Sequence, residues 1–526
     1  MPESPGIIRL RNQRRIEQSD PYAALSHCWG DPAQKPLTTT IENERSHETG
    51  ISVEVLPQSF KDAVAVARFL NIRYLWIDSL CILQDSESDW ATESRQMADI
   101  YKNAKVTIAA ACAENSHAGF LRTRPSQGKC YKLAFTKPDG GREIWLEATT
   151  DNEENPVPET SVLGRHPYEP LQKRAWVLQE QLLSSKVIYF DSDQVLWECN
   201  SVQYAESRTF PYNGQFNRYD RRLSRNFHLN NPQQKGGDTN NSTSSIYLDW
   251  YALLREFRRR ELTYESDSLP AMSGLAREFA SITKDEYLGG LWKSDLFRGL
   301  GWGYAKKSTI VTRGVRSRSA SSPLSQDLAL SLSPASWTWA SIPSGSQEFL
   351  GGPFFFSISE TWENADTFLP NSISQRLISS ETVPRYLDTM GQLNSARLVL
   401  EGACRSVNVR LHDNARLENH PYGTIPKSVV FEIDGMKKHY NQYIYASIDR
   451  LFQLRKEIKL ASDQGRIFSL TCFLLGRTDF MHMHGLLLYE RVLENAPVYY
   501  RCGMLHITIR DKSFYQGWSQ KTLTLL

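Results

Sequence analysis

The chain has 526 residues, 40% apolar and 23% charged, with 13 Trp, 22 Phe and 23 Tyr, which excludes global disorder and implies two or three packed units rather than one core. A formal net charge of +2 gives no whole-chain drive toward nucleic acid or an acidic membrane. No apolar run approaches the ~20 residues that cross a bilayer, the opening MPESPGIIRLRNQRR has no apolar signal core, and eight cysteines without a CxxC pair read as the reduced thiols of a cytoplasmic protein.

In chain order, YAALSHC (Tyr22 to Cys28) is a short apolar strand stopped by WGDP. In LPQSFKDAVAVARFL, Leu56, Phe60, Ala63, Val64, Ala67 and Leu70 recur at helical spacing, and Pro57 suits a first helical turn, where its missing N–H costs nothing. IRYLWID follows as a second apolar strand run, ending on Asp78. SESDWATESRQMADIYKNA sets Trp90, Met97, Tyr101 and Ala104 on one helix face. It opens with Ser86 and, three residues on, Asp89, a capping box with Asp in place of the usual Glu or Gln. KVTIAAACA is a third strand run, small and apolar throughout. Strands alternating with helices in this way predict a parallel sheet with right-handed crossovers, buried on both faces.

Further on, KRAWVLQEQLL (Lys173 to Leu183) is a helix with Trp176, Glu180 and Leu183 stacked on one side, and KVIYF and QVLWEC form a hairpin through DSD. Residues 213–247 are polar and read as a mobile insertion. DWYALLREFRRRELTYESDSLPAMSGLAREFA is helical, residues 306–330 form a basic, serine-rich loop, and short runs from Trp337 onward are β-rich. The expected layout is an α/β domain over residues 20–200, a helical region with two polar loops over 201–330, and a β-rich part over 331–526. No internal repeat is present.

Ligands of parallel sheets sit outside the carboxyl ends of the strands. Asp78 lies at that end of the second strand, and Ser26, His27, Trp29 and Gly30 flank that end of the first. Asp78 is a polar ligand there, or a cap or partner for neighbouring backbone N–H groups; Asp85 reads as a turn or cap residue. Glu180 shares its helix face with Trp176 and Leu183 and so points inward. An inward carboxylate must find a cation or donor, or hold its proton more tightly. Either state suits acid–base work or the binding of a ribose hydroxyl, and the structural alternative is an ion pair such as one with Arg174. Gln179 is a neutral donor beside it. Glu180 and Asp78 are therefore the candidate catalytic residues, and Ser26, His27, Trp29, Gly30 and Gln179 the candidate ligand-binding ones. His27 and Cys28 are adjacent in a strand and point to opposite faces, so they do not form a nucleophile–base pair. Trp29 stacks on a ligand or fills the core, and Cys81 reads as a buried small hydrophobe. His482 and His484 alternate onto one strand face, yet no third ligand is evident, and no metal site is expected. GLGWG lacks the spacing of a dinucleotide-binding turn, and RGVRSRS reads as a solvated loop.

Three blocks carry a resemblance: YAALSHCWG; LPQSFKDAVAVARFLNIRYLWIDSLCILQDSESDWATESRQMADIYKNAKVTIAA; and RAWVLQEQLLS with VLWEC. In order and spacing they resemble the fungal heterokaryon-incompatibility (HET) domain, most closely over residues 20–200. LTYESDSLPAMSGLA, LGGLW and SWTWAS resemble segments that often follow it. No phosphate-binding G-x-x-x-x-G-K-[ST] run accompanies them. The resemblance implies a trigger of growth arrest and cell death when genetically unlike fungal cells fuse, and an α/β fold with a TIR-like, flavodoxin-like parallel sheet. Some TIR domains cleave NAD with a glutamate, so an NAD glycohydrolase-like activity, with NAD as substrate and no resident cofactor, is one implied reading. A signalling module that acts by self-association or with a partner incompatibility protein is another. A catalyst or accessory protein of a fungal secondary-metabolite pathway is a third. A small-molecule ligand fits these readings; nucleic acid and membrane are not expected partners.

Overall fold

The computed structural model describes residues 6–11, 20–124 except 32 and 34, 130–133, 144–147, 169–199, 202–206, 242–302, 335–341, 362–369, 373–411, 429–433, 443–448, 460–478 except 462, 482–508 and 517–526. The chain divides into two units, residues 1–231 and 232–526.

The first unit is built on a six-stranded sheet. Four strands are parallel: β1 (Tyr22–Ser26), β2 (Tyr74–Trp76), β3 (Val106–Ala109) and β4 (Lys186–Phe190), side by side in the order β2-β1-β3-β4. The hairpin expected from KVIYF and QVLWEC continues the sheet with β5 (Val195–Cys199), antiparallel to β4, and β6 (Gln203–Ala205) follows antiparallel to β5. Ala23, Ala24 and Leu25 are fully buried, as are Ile108 and Ala109. This is the pattern of a strand covered on both faces, which needs apolar residues at every position rather than every second one.

Helices cover both sides. Leu25 and Ile108 pack with Phe60, Ala63 and Val64 of α1 (Gln58–Phe69) on one face. Ala24 packs on the other face with Met97, Tyr101 and Ala104 at the end of α3 (Glu87–Asn103). Full burial of a side chain such as Phe60 contributes about 2 kcal/mol of transfer free energy. Helix α3 starts as its sequence predicts: Ser86 Oγ accepts the Asp89 N–H at 3.2 Å. The Asp89 carboxylate then reaches back to the Leu83 N–H at 2.8 Å, one turn further than a capping box would take it.

The second strand is shorter than its apolar run. Ile77 is 2% exposed and reads as strand, but the chain turns there into a four-residue helix, α2 (Asp78–Cys81). Asp78 Oδ1 accepts the Ser79 N–H at 2.7 Å, and the Leu80 and Cys81 N–H groups bond back to the Ile77 carbonyl. The third run likewise stops as strand at Ala109; Ala113 N–H turns back to Ala110 O at 3.2 Å.

The second unit opens with helices α5 (Ser242–Arg258) and α6 (Pro270–Thr283). The polar insertion read over 213–247 therefore ends sooner than expected, because Ser242 to Tyr247 already belong to α5; residues 207–241 lie outside the described ones, as do 306–330 with RGVRSRS. A short hairpin, β7 (Tyr287–Leu288) and β8 (Leu291–Trp292), follows α6. Trp250, Phe279, Tyr287 and Trp292 cluster there with ring centroids 4.6–6.4 Å apart.

The rest of this unit is a large sheet. Its strands include β9 (Arg376–Pro384), β10 (Leu393–Leu411), β11 (Phe468–Arg477), β12 (His482–Leu493), β13 (Ala496–Thr508) and β14 (Ser519–Leu525). Strands β11 to β14 follow one another, β14 pairs with β10, and β10 pairs again with β11, so the pairing runs round a ring. Its thinnest link is β13 to β14, joined only at Tyr499 and Leu525. Val407, Leu470, Leu474, Leu487, Leu505 and Ile507 share its core. No helix among the described residues is long and apolar enough to cross a membrane.

Candidate functional site

The carboxyl ends of β1 and β2 bring together side chains from four segments of the first unit. Alternation along β1 sends Ser26 to the side of Ala24, where α3 lies, and His27 to the side of Leu25, where α1 lies. Asp78, two residues past β2, reaches Trp29 and stands beside His27. Helix α4 (Trp176–Leu183) approaches on the α3 side and delivers Glu180. The end of α4 is fastened to the sheet: Ser184 Oγ donates to the Glu180 carbonyl at 2.6 Å and lies 2.6 Å from Thr107 Oγ1 on β3.

Asp78 has both oxygens engaged. Oδ1 takes the Ser79 N–H, and Oδ2 accepts the indole N–H of Trp29 at 2.8 Å. Its side chain is 17% exposed, and His27 Nδ1 stands 3.7 Å from Oδ1. Of the two readings of Asp78, the partner for a neighbouring backbone N–H is the one observed, at Ser79.

Glu180 is 3% exposed. Burial raises its pKa to about 7, and the Asp78 charge raises it further, while Arg174 and the hydroxyls of Ser26 and Tyr101 pull the other way. Ser26 Oγ and Glu180 Oε2 each lack a hydrogen bond of good geometry, so the Ser26 hydroxyl favours the carboxylate by proximity rather than by a closed bond. Near neutral pH Glu180 is divided between its two protonation states, as acid–base work requires.

His27 is 1% exposed. Burial lowers its pKa to about 4 against the pull of Asp78, and Arg174 lowers it too, so the imidazole is neutral. Its ring meets Phe60 edge-on at 5.1 Å, and neither ring nitrogen has a hydrogen-bond partner. The Arg174 guanidinium donates to the His27 carbonyl.

Asp78, Glu180, Ser26, His27 and Trp29 are therefore neighbours. Gln179 is wholly buried within α4. Gly30 is exposed at the rim with φ +95°, and a Cβ there would lie 2.4 Å from Asn115 Cβ, so the turn after Trp29 requires glycine. Asp85 lies apart from the site and accepts the Ile41 N–H at 3.0 Å. Burial lifts the thiols of Cys28 to about 11 and Cys81 to about 12, so neither is a nucleophile at neutral pH. In the second unit, His482 is exposed while His484 is buried, its ring 5.7 Å from Trp362 and its Nε2 3.3 Å from Thr478 Oγ1. No group of three or more His, Cys, Asp or Glu among the described residues is arranged to hold a metal ion.

Two participants escaped the sequence reading. Tyr101 was visible only as a member of an apolar face; its hydroxyl donates to the Leu25 carbonyl at 3.1 Å, and after burial the Glu180 charge raises its pKa further. Arg174 was foreseen only as a structural partner, but its charge acts on Glu180, His27, Cys28 and Tyr101 alike. The usable signal was a basic residue six positions before an inward glutamate, where the chain enters the same helix.

The arrangement offers a buried, divided carboxyl in Glu180, a second carboxyl near the surface in Asp78, a neutral imidazole, two hydroxyls and an indole. Residues 22–180 match the family model described as Heterokaryon incompatibility protein (HET). No curated protein and no solved structure matches the chain.

Proposed function

We propose, from the premise that residues 22–180 form a heterokaryon-incompatibility (HET) domain, that the first unit hydrolyses the N-glycosidic bond of a nicotinamide nucleotide and that this chemistry makes the protein a cytosolic effector of non-self recognition and cell death. The observation that carries the reading is Glu180, buried beside Asp78 with its pKa raised to about 7. The strand order β2-β1-β3-β4, with α1 on one face and α3 on the other, is that of a flavodoxin-like doubly wound sheet. It supports a TIR-like fold for the domain.

In the proposed reaction the bond between ribose C1′ and the pyridinium nitrogen breaks, and its electron pair leaves with neutral nicotinamide. A water oxygen bonds to C1′, and the water's surplus proton passes to Glu180 and on to solvent. Ionised Glu180 stabilises the oxocarbenium-like centre or holds a ribose hydroxyl, as carboxylates do in glycoside hydrolysis. Ser26 and Gln179 add hydrogen bonds, Trp29 offers its ring face to the base, and Gly30 lets the rim turn. Asp78 keeps Trp29 in position and tunes Glu180.

Nicotinamide release from NAD by concentrated protein tests this, with Glu180→Gln as control. The expected loss is about 10²–10⁴-fold. No release, or equal release by a folded Glu180→Gln protein, overturns it. A second reading, a module that signals by self-association without chemistry, draws support from Phe69, an aromatic 89% exposed at the end of α1. Toxicity on expression that survives Glu180→Gln but not Phe69→Ser favours it.

A further inference from the structure

We infer that the indole of Trp29 is a gate over the His27 imidazole, held shut by its hydrogen bond to Asp78. The inference concerns how a buried group is reached and does not rest on the hydrolase reading.

The imidazole is closed off in this structure. It is buried, neither ring nitrogen has a hydrogen-bond partner, and Phe60 meets it edge-on. Burying such atoms without partners is unfavourable, which narrows the free-energy gap to a state in which water reaches them. Of the side chains beside the ring, Phe60 is fully buried, whereas Asp78 is partly exposed and Trp29 half-buried. The last two meet at one carboxyl: His27 Nδ1 stands 3.7 Å from Asp78 Oδ1, and Trp29 Nε1 donates to Asp78 Oδ2 at 2.8 Å. The way outward from the imidazole therefore passes between the Asp78 carboxyl and the Trp29 indole.

The indole is the piece free to move. Asp78 Oδ1 is held by the Ser79 N–H at 2.7 Å. The backbone beneath the indole is pinned too, because Ser116 Oγ donates to the Cys28 carbonyl at 3.1 Å and the Arg174 guanidinium donates to the His27 carbonyl. The indole itself has one hydrogen bond among the described residues, the one to Asp78. Its release breaks a single bond, and water replaces the lost partner at a half-buried ring. Rotation of a side chain between staggered states needs no movement of the chain. The opening is thus local and lies below the free energy of unfolding the unit.

Carbethoxylation of histidine by diethyl pyrocarbonate at neutral pH tests this on the full chain, with each site read by peptide mass spectrometry. Burial lowers the His27 pKa to about 4, so the ring is unprotonated and its rate reports access. His47 is the internal control, a second buried histidine of the same unit with Nδ1 2.9 Å from Thr39 Oγ1. Trp29→Phe keeps a ring and deletes the N–H. It should speed modification of His27 about tenfold and leave His47 within about twofold. An unchanged His27 rate, or an equal rise at His47, overturns the inference. The native protein supplies a second measurement that needs no variant. In urea well below the unfolding transition the His27 rate should stay flat, because a side-chain rotation exposes little surface. A His27 rate that climbs with urea in parallel with His47 would mean that the imidazole is reached only by unfolding, and the gate is then overturned.

Discussion

Asp78 and Glu180 stand on different helices of the first unit, and the charge of Asp78 strengthens the hold of Glu180 on its proton. Burial raises the pKa of the Tyr101 hydroxyl, and both carboxylates raise it further. One carboxylate stands near the surface and the other is buried, so the two have different environments.

The pH dependence of stability follows. Glu180 changes from 4.5, its ordinary value, to about 7 on folding. Between those values the folded protein holds the proton that the unfolded chain has released, so the contribution of Glu180 is full below pH 4.5 and is lost as pH rises to about 7. His27 moves oppositely, from 6.5 to about 4, and costs stability as pH falls through that window. Where the windows overlap the slopes offset each other; Glu93, raised by burial and Asp89 to about 7, adds to the Glu180 side. Glu180→Gln should remove one descending step. The variant should match the native protein near pH 4 and exceed it at pH 8 by on the order of 3 kcal/mol. Urea midpoints across the range measure this, and a difference that does not grow with pH would refute it.

Asp78→Asn should act at two levels. The indole of Trp29 exchanges a carboxyl acceptor for an amide one, at a cost of about 1 kcal/mol. Removal of the charge also weakens the proton affinity of both Glu180 and His27, because Asp78 raises each. The Glu180 step in stability should therefore move to lower pH. Denaturation midpoints at several pH values report both effects, and an unmoved step would mean that the two carboxylates do not communicate.

Asp62 fastens α1 to the chain beyond β3. Its Oδ2 accepts the N–H groups of Phe120 at 2.7 Å and Leu121 at 3.0 Å, and its Oδ1 accepts the Gln58 side-chain amide at 2.8 Å. Asp62→Ala leaves two backbone donors without their acceptor and should cost about 3 kcal/mol, whereas Asp62→Asn keeps an acceptor and should cost about 1 kcal/mol. Chemical denaturation distinguishes them; equal losses would show that the carboxylate serves by its charge rather than as an acceptor.

What the sequence made legible was local. The apolar runs of residues 22–110 yield β1, α1, β2, α3 and β3 because strands buried on both faces leave an unbroken apolar signal. The same signal overran β2 at Ile77, since an apolar residue reads alike in a strand and at the start of a turn; the turn is closed by the Leu80 and Cys81 N–H groups on the Ile77 carbonyl. Glu180 was expected to point inward from its spacing to Trp176 and Leu183. Every residue of α4 from Val177 to Leu183 is in fact buried, so the helix has no wet side and the spacing was only part of the reason. Tyr101, Asp62 and the ring closed by β10 and β11 depend on contacts distant in sequence, which periodicity does not carry.

Tyr101 bears on the proton affinity of Glu180. It is 1% exposed, its ring lies edge-on to Trp76 at 5.6 Å, and its hydroxyl bonds the Leu25 carbonyl at 3.1 Å. The hydroxyl favours the charged form of Glu180, so Tyr101→Phe should raise the proton affinity of that carboxyl while costing about 1 kcal/mol of stability at the Leu25 bond. A merely structural tyrosine would yield the second effect alone. Its replacement should therefore be read in two ways: the denaturation midpoint at fixed pH, and the pH at which the Glu180 step falls, which should move upward. In the Glu180→Gln background the upward movement should vanish while the stability loss stays. A movement that persists there would assign the effect to another group and end the role proposed for Tyr101.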